Sequence, residues 1–176
     1  MKSIATRFST LVALGLLLTS ATLRADSVVS DPLFGLDFPA AKVPFERAPA
    51  SVKRCAAMAG RRLWVFARAK AADGDYLVLS GFFKPGPGVQ RDPDVSGSLV
   101  RIAGPKCAVV GTPEVVLGGK GNEVAPATLA ALADDAARRF AQAFGGHRQL
   151  RAALQAQHVD LNTVPPLLKQ ALERAD

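Results

Sequence analysis

Two patterns of apolar and polar positions follow one another along the chain. Through residues 63–117 apolar residues come in short β-branched and aromatic runs with a period near two, and from 126 onward they recur every three or four residues. The runs 63–69 (LWVFARA) and 76–84 (YLVLSGFFK) predict two strands. Asp73-Gly74 between them predicts a tight turn, hence an antiparallel hairpin. Residues 99–103 predict a third strand. Residues 107–110 with 115–117 predict a fourth, bent at Pro113 because proline cannot donate to a central ladder. The connection 85–97 is dense in Pro, Gly and Asp and too long for a hairpin loop.

Past the glycine-rich turn 118–121 the helical period takes over. Leu129, Leu132, Ala133, Ala136, Phe140, Ala143 and Phe144 form one apolar stripe that starts at Pro126 and stops at Gly145-Gly146. Residues 148–157 (Leu150, Ala153, Leu154) and 165–174 (Leu167, Leu168, Ala171, Leu172) predict two further helices, the last with Thr163 placed to cap it. Ahead of the strands, 50–59 predicts a short helix with Ser51 as cap, Cys55 on its surface and Gly60 as its stop. A run of strands followed by a run of helices predicts the α+β class. The expected architecture is a short N-terminal helix, an antiparallel sheet of about four strands, and C-terminal helices packed on one face.

Two segments precede this domain. Residues 1–25 place Lys2 and Arg7 before an apolar run at 11–18 and small residues beyond, the pattern of a secretory signal peptide with cleavage after Ala21 or Ala25. The run is too short for a membrane span, which needs about 20 apolar residues. Residues 26–49 carry Pro32, Pro39, Pro44 and Pro49, which exclude a long helix and predict an extended arm. Its Phe34 and Phe38 either pack on the domain or present a docking strip. The organisation expected is thus a leader (1–25), a proline-rich arm (26–49) and one domain (50–176), in a chain whose 176 residues are one domain's worth.

Composition narrows the class. With 49% hydrophobic and 21% charged residues the chain is globular, which excludes a disordered tail or a collagen. Loss of the leader removes Lys2, Arg7 and Arg24 and no acid, so the net charge falls from +7 to +4. That excess attracts acidic surfaces such as anionic lipid or an acidic protein, but is too small to argue nucleic acid. Cys55 and Cys107 are the only cysteines, and an even count behind a secretory leader predicts a disulfide between them. Their 52-residue spacing is unlike a Cys-x-x-Cys redox or metal pair.

Catalytic signatures do not emerge. Gly119-Lys120 is followed by Gly121 where a phosphate-binding loop needs Ser or Thr, and neither V-L-S-G-F around Ser80 nor D-V-S-G-S around Ser96 is a nucleophile elbow. His147 and His158 stand eleven residues apart at the ends of a predicted helix, too far apart for a paired ligand motif, so no metal site is assigned. Asp92, Asp94, Ser96 and Gly97 copy the start of a calcium loop, yet the twelfth position is Ala103 instead of Glu, and an ordinary Asp/Pro/Gly turn explains them equally. Asp134 and Asp135 point about 100° apart on a helix, which makes them a solvated pair. Lys53, Arg54, Arg61 and Arg62, with Arg138, Arg139, Arg148 and Arg151, form one patch only if their helices are neighbours.

The expected function is therefore a periplasmic or secreted, non-catalytic binding protein of the inhibitor, immunity or envelope-accessory kind, without cofactor. Its partner would be another envelope or exported protein. Contacts are expected first at Arg91, Asp92 and Asp94 on the long loop, then at Phe34 and Phe38. The alternatives are a carrier of a small ligand or lipid in an apolar cavity, and an envelope hydrolase whose carboxylates converge only in three dimensions.

Overall fold

The computed structural model describes residues 28–31, 33–39, 45–81, 97–112, 117–118 and 123–175. The leader 1–25, the candidate contacts Arg91, Asp92 and Asp94, the bend at Pro113 and most of the calcium-like loop lie outside the described residues.

Four strands form an antiparallel meander: β3 (Leu63–Ala71), β4 (Gly74–Gly81), β5 (Ser98–Ala103) and β6 (Lys106–Gly111), adjacent in chain order. A two-stranded hairpin precedes it, β1 (Val28–Ser30) on β2 (Asp37–Pro39). Three helices follow, α1 (Pro126–Phe144), α2 (His147–Ala156) and α3 (Pro166–Arg174), with α2 and α3 both packed on α1 and α1 packed on β3. The expected order of strands then helices is what the chain adopts, with the β3–β4 turn at Ala72-Asp73, one residue earlier than predicted. Gly74 follows as the first residue of β4 at φ +143°. A Cβ there would sit 2.5 Å from the Ile102 carbonyl oxygen, so the close approach to β5 requires glycine. At the end of α1, Gly145 (φ +87°) lets its amide and that of Gly146 donate back to Gln142 and Ala141, a Schellman closure.

The short helix expected over 50–59 is instead two 3-10 turns, Ala50–Arg54 and Ala56–Met58. Cys55 between them is extended (φ −67°, ψ 119°), so an α-helix cannot run through it, and neither turn uses a side-chain cap. Thr163 likewise does not cap α3. Its hydroxyl donates to the Asp160 carbonyl, and Pro165 occupies the cap position.

Two hydrophobic clusters lie on the two faces of the sheet. The larger, on the helix side, joins Phe66, Ala67, Ala69, Tyr76, Val78 and Leu99 of the sheet to Leu132, Ala136, Phe140, Leu150 and Leu168 of the helices. Leu33, Phe34, Leu36, Phe38 and Phe45 also belong to it, so this core crosses the boundary between arm and domain drawn at residue 49. The smaller cluster packs Val52, Cys55 and Met58 of the 3-10 turns on Leu63, Val65, Leu77, Leu79 and Val100. A β-bulge between Val65 and Ala67 switches the face: Val65 faces the 3-10 turns, while Phe66 and Ala67 both face the helices. The disulfide Cys55–Cys107, Cα atoms 5.3 Å apart, staples the 3-10 layer to β6.

The outer edge of β3 is covered in two ways. Residues 46–48 pair with it, Val65 donating to the Glu46 carbonyl at 3.0 Å and Ala48 to the Leu63 carbonyl at 2.9 Å. Beyond the bulge a side chain takes over: the Arg68 amide donates to Asp135 Oδ2 at 2.8 Å. Asp135 also pairs with Arg138 and with Arg139 (2.6 Å), and its side chain is only 13% exposed. This corrects the expected solvated Asp134-Asp135 pair. Asp134 alone is at the surface, 2.9 Å from Arg174, while Asp135 caps a strand edge. Replacing Asp135 by Ala is expected to cost about 1.5–3 kcal/mol, the range for hydrogen bonds to a charged group, and to speed hydrogen exchange at the Arg68 amide. An unchanged exchange rate at that amide would show that the cap is not formed.

Candidate functional site

The residues expected to make contacts are placed unequally. Phe34 and Phe38 are 5% and 6% exposed and lie against Phe140, ring centroids 4.7 and 6.3 Å away, the packed one of the two arrangements considered. Their loop is built by Asp31, 1% exposed, whose carboxylate accepts the amides of Leu33, Phe34 and Leu36 at 2.6–2.8 Å. The Gln157 side-chain amide then holds β2 by pairing with both backbone groups of Asp37 at 2.9 Å, as a neighbouring strand would. Nothing in the local sequence marks Asp31 or Gln157, since each acts on backbone brought to it by the fold.

The two basic groups do not merge into one patch. Lys53, Arg54, Arg61 and Arg62 lie on or next to the 3-10 layer, and Arg138, Arg139, Arg148 and Arg151 on helices that pack on the opposite face. Arg139 is committed to Asp135, and Arg151 donates to the Leu172 carbonyl at 2.7 Å, tying α2 to the end of α3. His147 opens α2 and His158 follows its end at φ +58°. Among the described residues no three His, Cys, Asp or Glu side chains come together to hold a metal, and no helix is long and apolar enough to cross a membrane.

Concave surface gathers at the start of α1. The segment 123–128 separates two cavities, and Pro126 at the first turn fixes its course. On one side is an apolar cavity of about 390 Å3, walled by Leu117, Val124, Pro126, Leu129, Pro166 and Leu167. Two helices thus begin at its rim, each with a proline in its first turn, which gives the wall little freedom. On the other side, about 410 Å3 is bounded by Lys70, Asp73, Glu123, Thr128 and alanines of the β3–β4 turn and of α1.

Asp73 ties the second cavity to the sheet. Its Oδ2 accepts from the Tyr76 hydroxyl at 2.6 Å and from Arg101 Nη1 at 3.1 Å. The hydrogen bond from Tyr76, with that of Arg101, holds the Asp73 carboxyl below the usual carboxylate range. Tyr76 is 2% exposed, and burial, reinforced by the Asp73 carboxylate, pushes its hydroxyl above the ordinary value. Tyr76 is the chain's single tyrosine, so phenolate absorbance reads it alone. Its titration is expected above 10.0, the ordinary value for a tyrosine hydroxyl, and Asp73→Asn is expected to move it downward without removing the part due to burial. Because the folded chain holds this proton more tightly than the unfolded one, the contribution of Tyr76 to stability should be constant below pH 10 and be lost as the pH rises beyond it. A phenolate transition at or below the free-tyrosine value would contradict this packing.

Asp73 and Glu123 both line this cavity, and a dispersed hydrolase site would need two such carboxylates to converge. A carboxyl held below its usual range is, however, neither a proton donor nor a strong base at neutral pH, so Asp73 is suited to fixing the turn. No family model matches the chain, and no curated protein or solved structure matches it either.

Proposed function

We propose that the chain is an exported, non-catalytic binding protein that receives an apolar side chain of a partner in the cavity at the starts of α1 and α3. The observation that carries this reading is the position of the cavity. The rings of Phe34, Phe38, Phe45, Phe66 and Phe140 pack on one another between sheet and helices, and none of them lines the apolar cavity, which lies beside Pro126 and Pro166. A volume of about 390 Å3 lined mainly by apolar side chains is at the small end of ligand-sized sites. Another envelope or exported protein is the partner proposed, with the loop bearing Arg91, Asp92 and Asp94 as a second contact. Export rests on the leader-like pattern of residues 1–25 and on the Cys55–Cys107 disulfide, which persists in an oxidising compartment. N-terminal sequencing of the processed protein should begin at Thr22 or Asp26.

The test is a photo-crosslinker, p-benzoyl-phenylalanine, placed at Leu167 in cells and compared with the same group at the exposed Ala152 of α2. A discrete protein adduct is expected from position 167 only, competed by added wild-type chain and not by a Leu167→Glu chain. Adducts to lipid or a small molecule alone would replace this reading by the carrier. No adduct specific to position 167 would end both.

A further inference from the structure

α1 begins at the second cavity, the one bounded by Lys70, Asp73, Glu123 and Thr128, with part of its end unfilled. Pro126 has no amide hydrogen, and the amides of Thr128 and Leu129 both donate to the Ala125 carbonyl, at 2.9 and 3.1 Å. The Ala127 amide is left without a partner among the described residues. No acid stands in the first turn and no side chain caps it, so the positive end of the helix is unmatched there. Thr128 adds an independent sign of a ligand. It is 7% exposed, and its hydroxyl has no partner among the described residues, an arrangement that costs free energy until the hydroxyl is hydrogen-bonded. The hydroxyl is not sealed from solvent, and the space it opens on is the cavity that Thr128 lines.

The rest of the lining supplies acceptors. Arg68 directs its amide off the outer edge of β3, to Asp135 at 2.8 Å. Backbone groups alternate in direction along a strand, so Lys70, two residues on, turns its amide and carbonyl to the same edge. Neither has a partner among the described residues. The Lys70 side chain starts from the sheet face opposite to that of Ala69 and Ala71, which pack with the larger cluster, so its backbone, not its ammonium, is the recognising part. Asp73 is matched by Arg101 at 3.1 Å. Glu123 is exposed and has no ion pair among the described residues, so it brings one unbalanced negative charge to the cavity.

We propose that this cavity binds a free α-amino acid, its carboxylate taking the Ala127 amide and the Thr128 hydroxyl and its ammonium lying between Glu123 and the Lys70 carbonyl. A zwitterion satisfies both poles at once. A simple anion would leave Glu123 unmatched, and a simple cation would meet the positive end of α1. A volume of about 410 Å3, with alanines making the apolar part of the wall, has room for a small molecule. The site lies across the segment 123–128 from the apolar cavity, and the inference does not rest on the function proposed for that cavity.

The experiment is titration calorimetry of the full chain with the common amino acids, one at a time. At least one should bind, and its N-acetyl and carboxamide derivatives should each bind about ten-fold or more weakly, the loss expected from one charge-assisted hydrogen bond. Glu123→Gln and Thr128→Val should each weaken binding by a similar factor. Thr128→Val removes a hydroxyl that has no partner in the free protein, so the melting temperature should stay unchanged or rise, which separates a role in binding from one in folding. Absence of binding by every amino acid would overturn the proposal. Undiminished binding of the N-acetyl derivative would overturn it too, since no ammonium would then be read, as would binding that survives both Glu123→Gln and Thr128→Val.

Discussion

Reduction of the Cys55–Cys107 bridge, or Cys55→Ser with Cys107→Ser, is expected to lower stability by about 4 kcal/mol, the chain-entropy value for closing a loop of this size. The bridge spans 52 residues and joins the 3-10 layer to the edge strand β6. Without it, the 3-10 layer is held on the sheet by the packing of Val52 and Met58, in a cluster much smaller than the one on the helix side, and by the hydrogen bond from Arg54 to the Gly104 carbonyl. The melting temperature should fall by on the order of 10–15 °C for a domain of this size, and near-UV signals from the helix-side aromatic rings should survive at temperatures below the new transition. A fall of less than about 1 kcal/mol would mean that the unfolded chain is already restrained to the same extent.

Phe140→Ala should have an effect of similar size. Phe140 is fully buried, and its ring lies 4.7 Å from Phe34, 5.1 Å from Phe45, 6.1 Å from Phe66 and 6.3 Å from Phe38. It is therefore the common neighbour through which the first hairpin, β3 and α1 meet. Truncation of a buried phenylalanine costs about 3–5 kcal/mol through lost transfer energy and the cavity left behind. The upper end is expected because the four surrounding rings come from different elements and cannot all close the gap. Denaturant unfolding gives the value directly, and Phe144→Ala on the partly exposed side of the same helix should cost clearly less. Equal losses at the two positions would contradict a centre at Phe140.

The elements made by period alone were legible. The stripe from Leu129 to Phe144 and the runs around Val65 and Val78 each bury one face, and burial of one face is what periodicity encodes. The disulfide followed from there being only two cysteines. The features that depend on a distant element did not show. Asp135 reads as one of two solvated acids until α1 is set beside the edge of β3, 67 residues away. A partial signal existed, since Asp135 flanks the apolar stripe between Leu132 and Ala136 and has Arg138 and Arg139 one turn on. The 3-10 turns do not show in the sequence because Ala-rich local preference favours a helix, whereas Cys55, the residue that carries the bridge, is extended. At the candidate site, Pro126 and Leu129 were recognised as parts of a helix, but the cavity needs α3 and residue 117 as its other walls.

The pairing of Gln157 with Asp37 has a consequence for the order in which the molecule is completed. Asp37 belongs to the second strand of the chain, and the amide that holds its free side comes 120 residues later. The same is true of the core, where Phe34 and Phe38 lie in one cluster with Leu168 and Leu172. During synthesis the first hairpin can meet Phe45 and, through it, Phe66 early, but its packing on Phe140 and its pairing with Gln157 wait until most of the polypeptide has emerged. A chain that completes its core late keeps apolar surface and unpaired strand groups open for longer, which lengthens its dependence on whatever shields nascent chains.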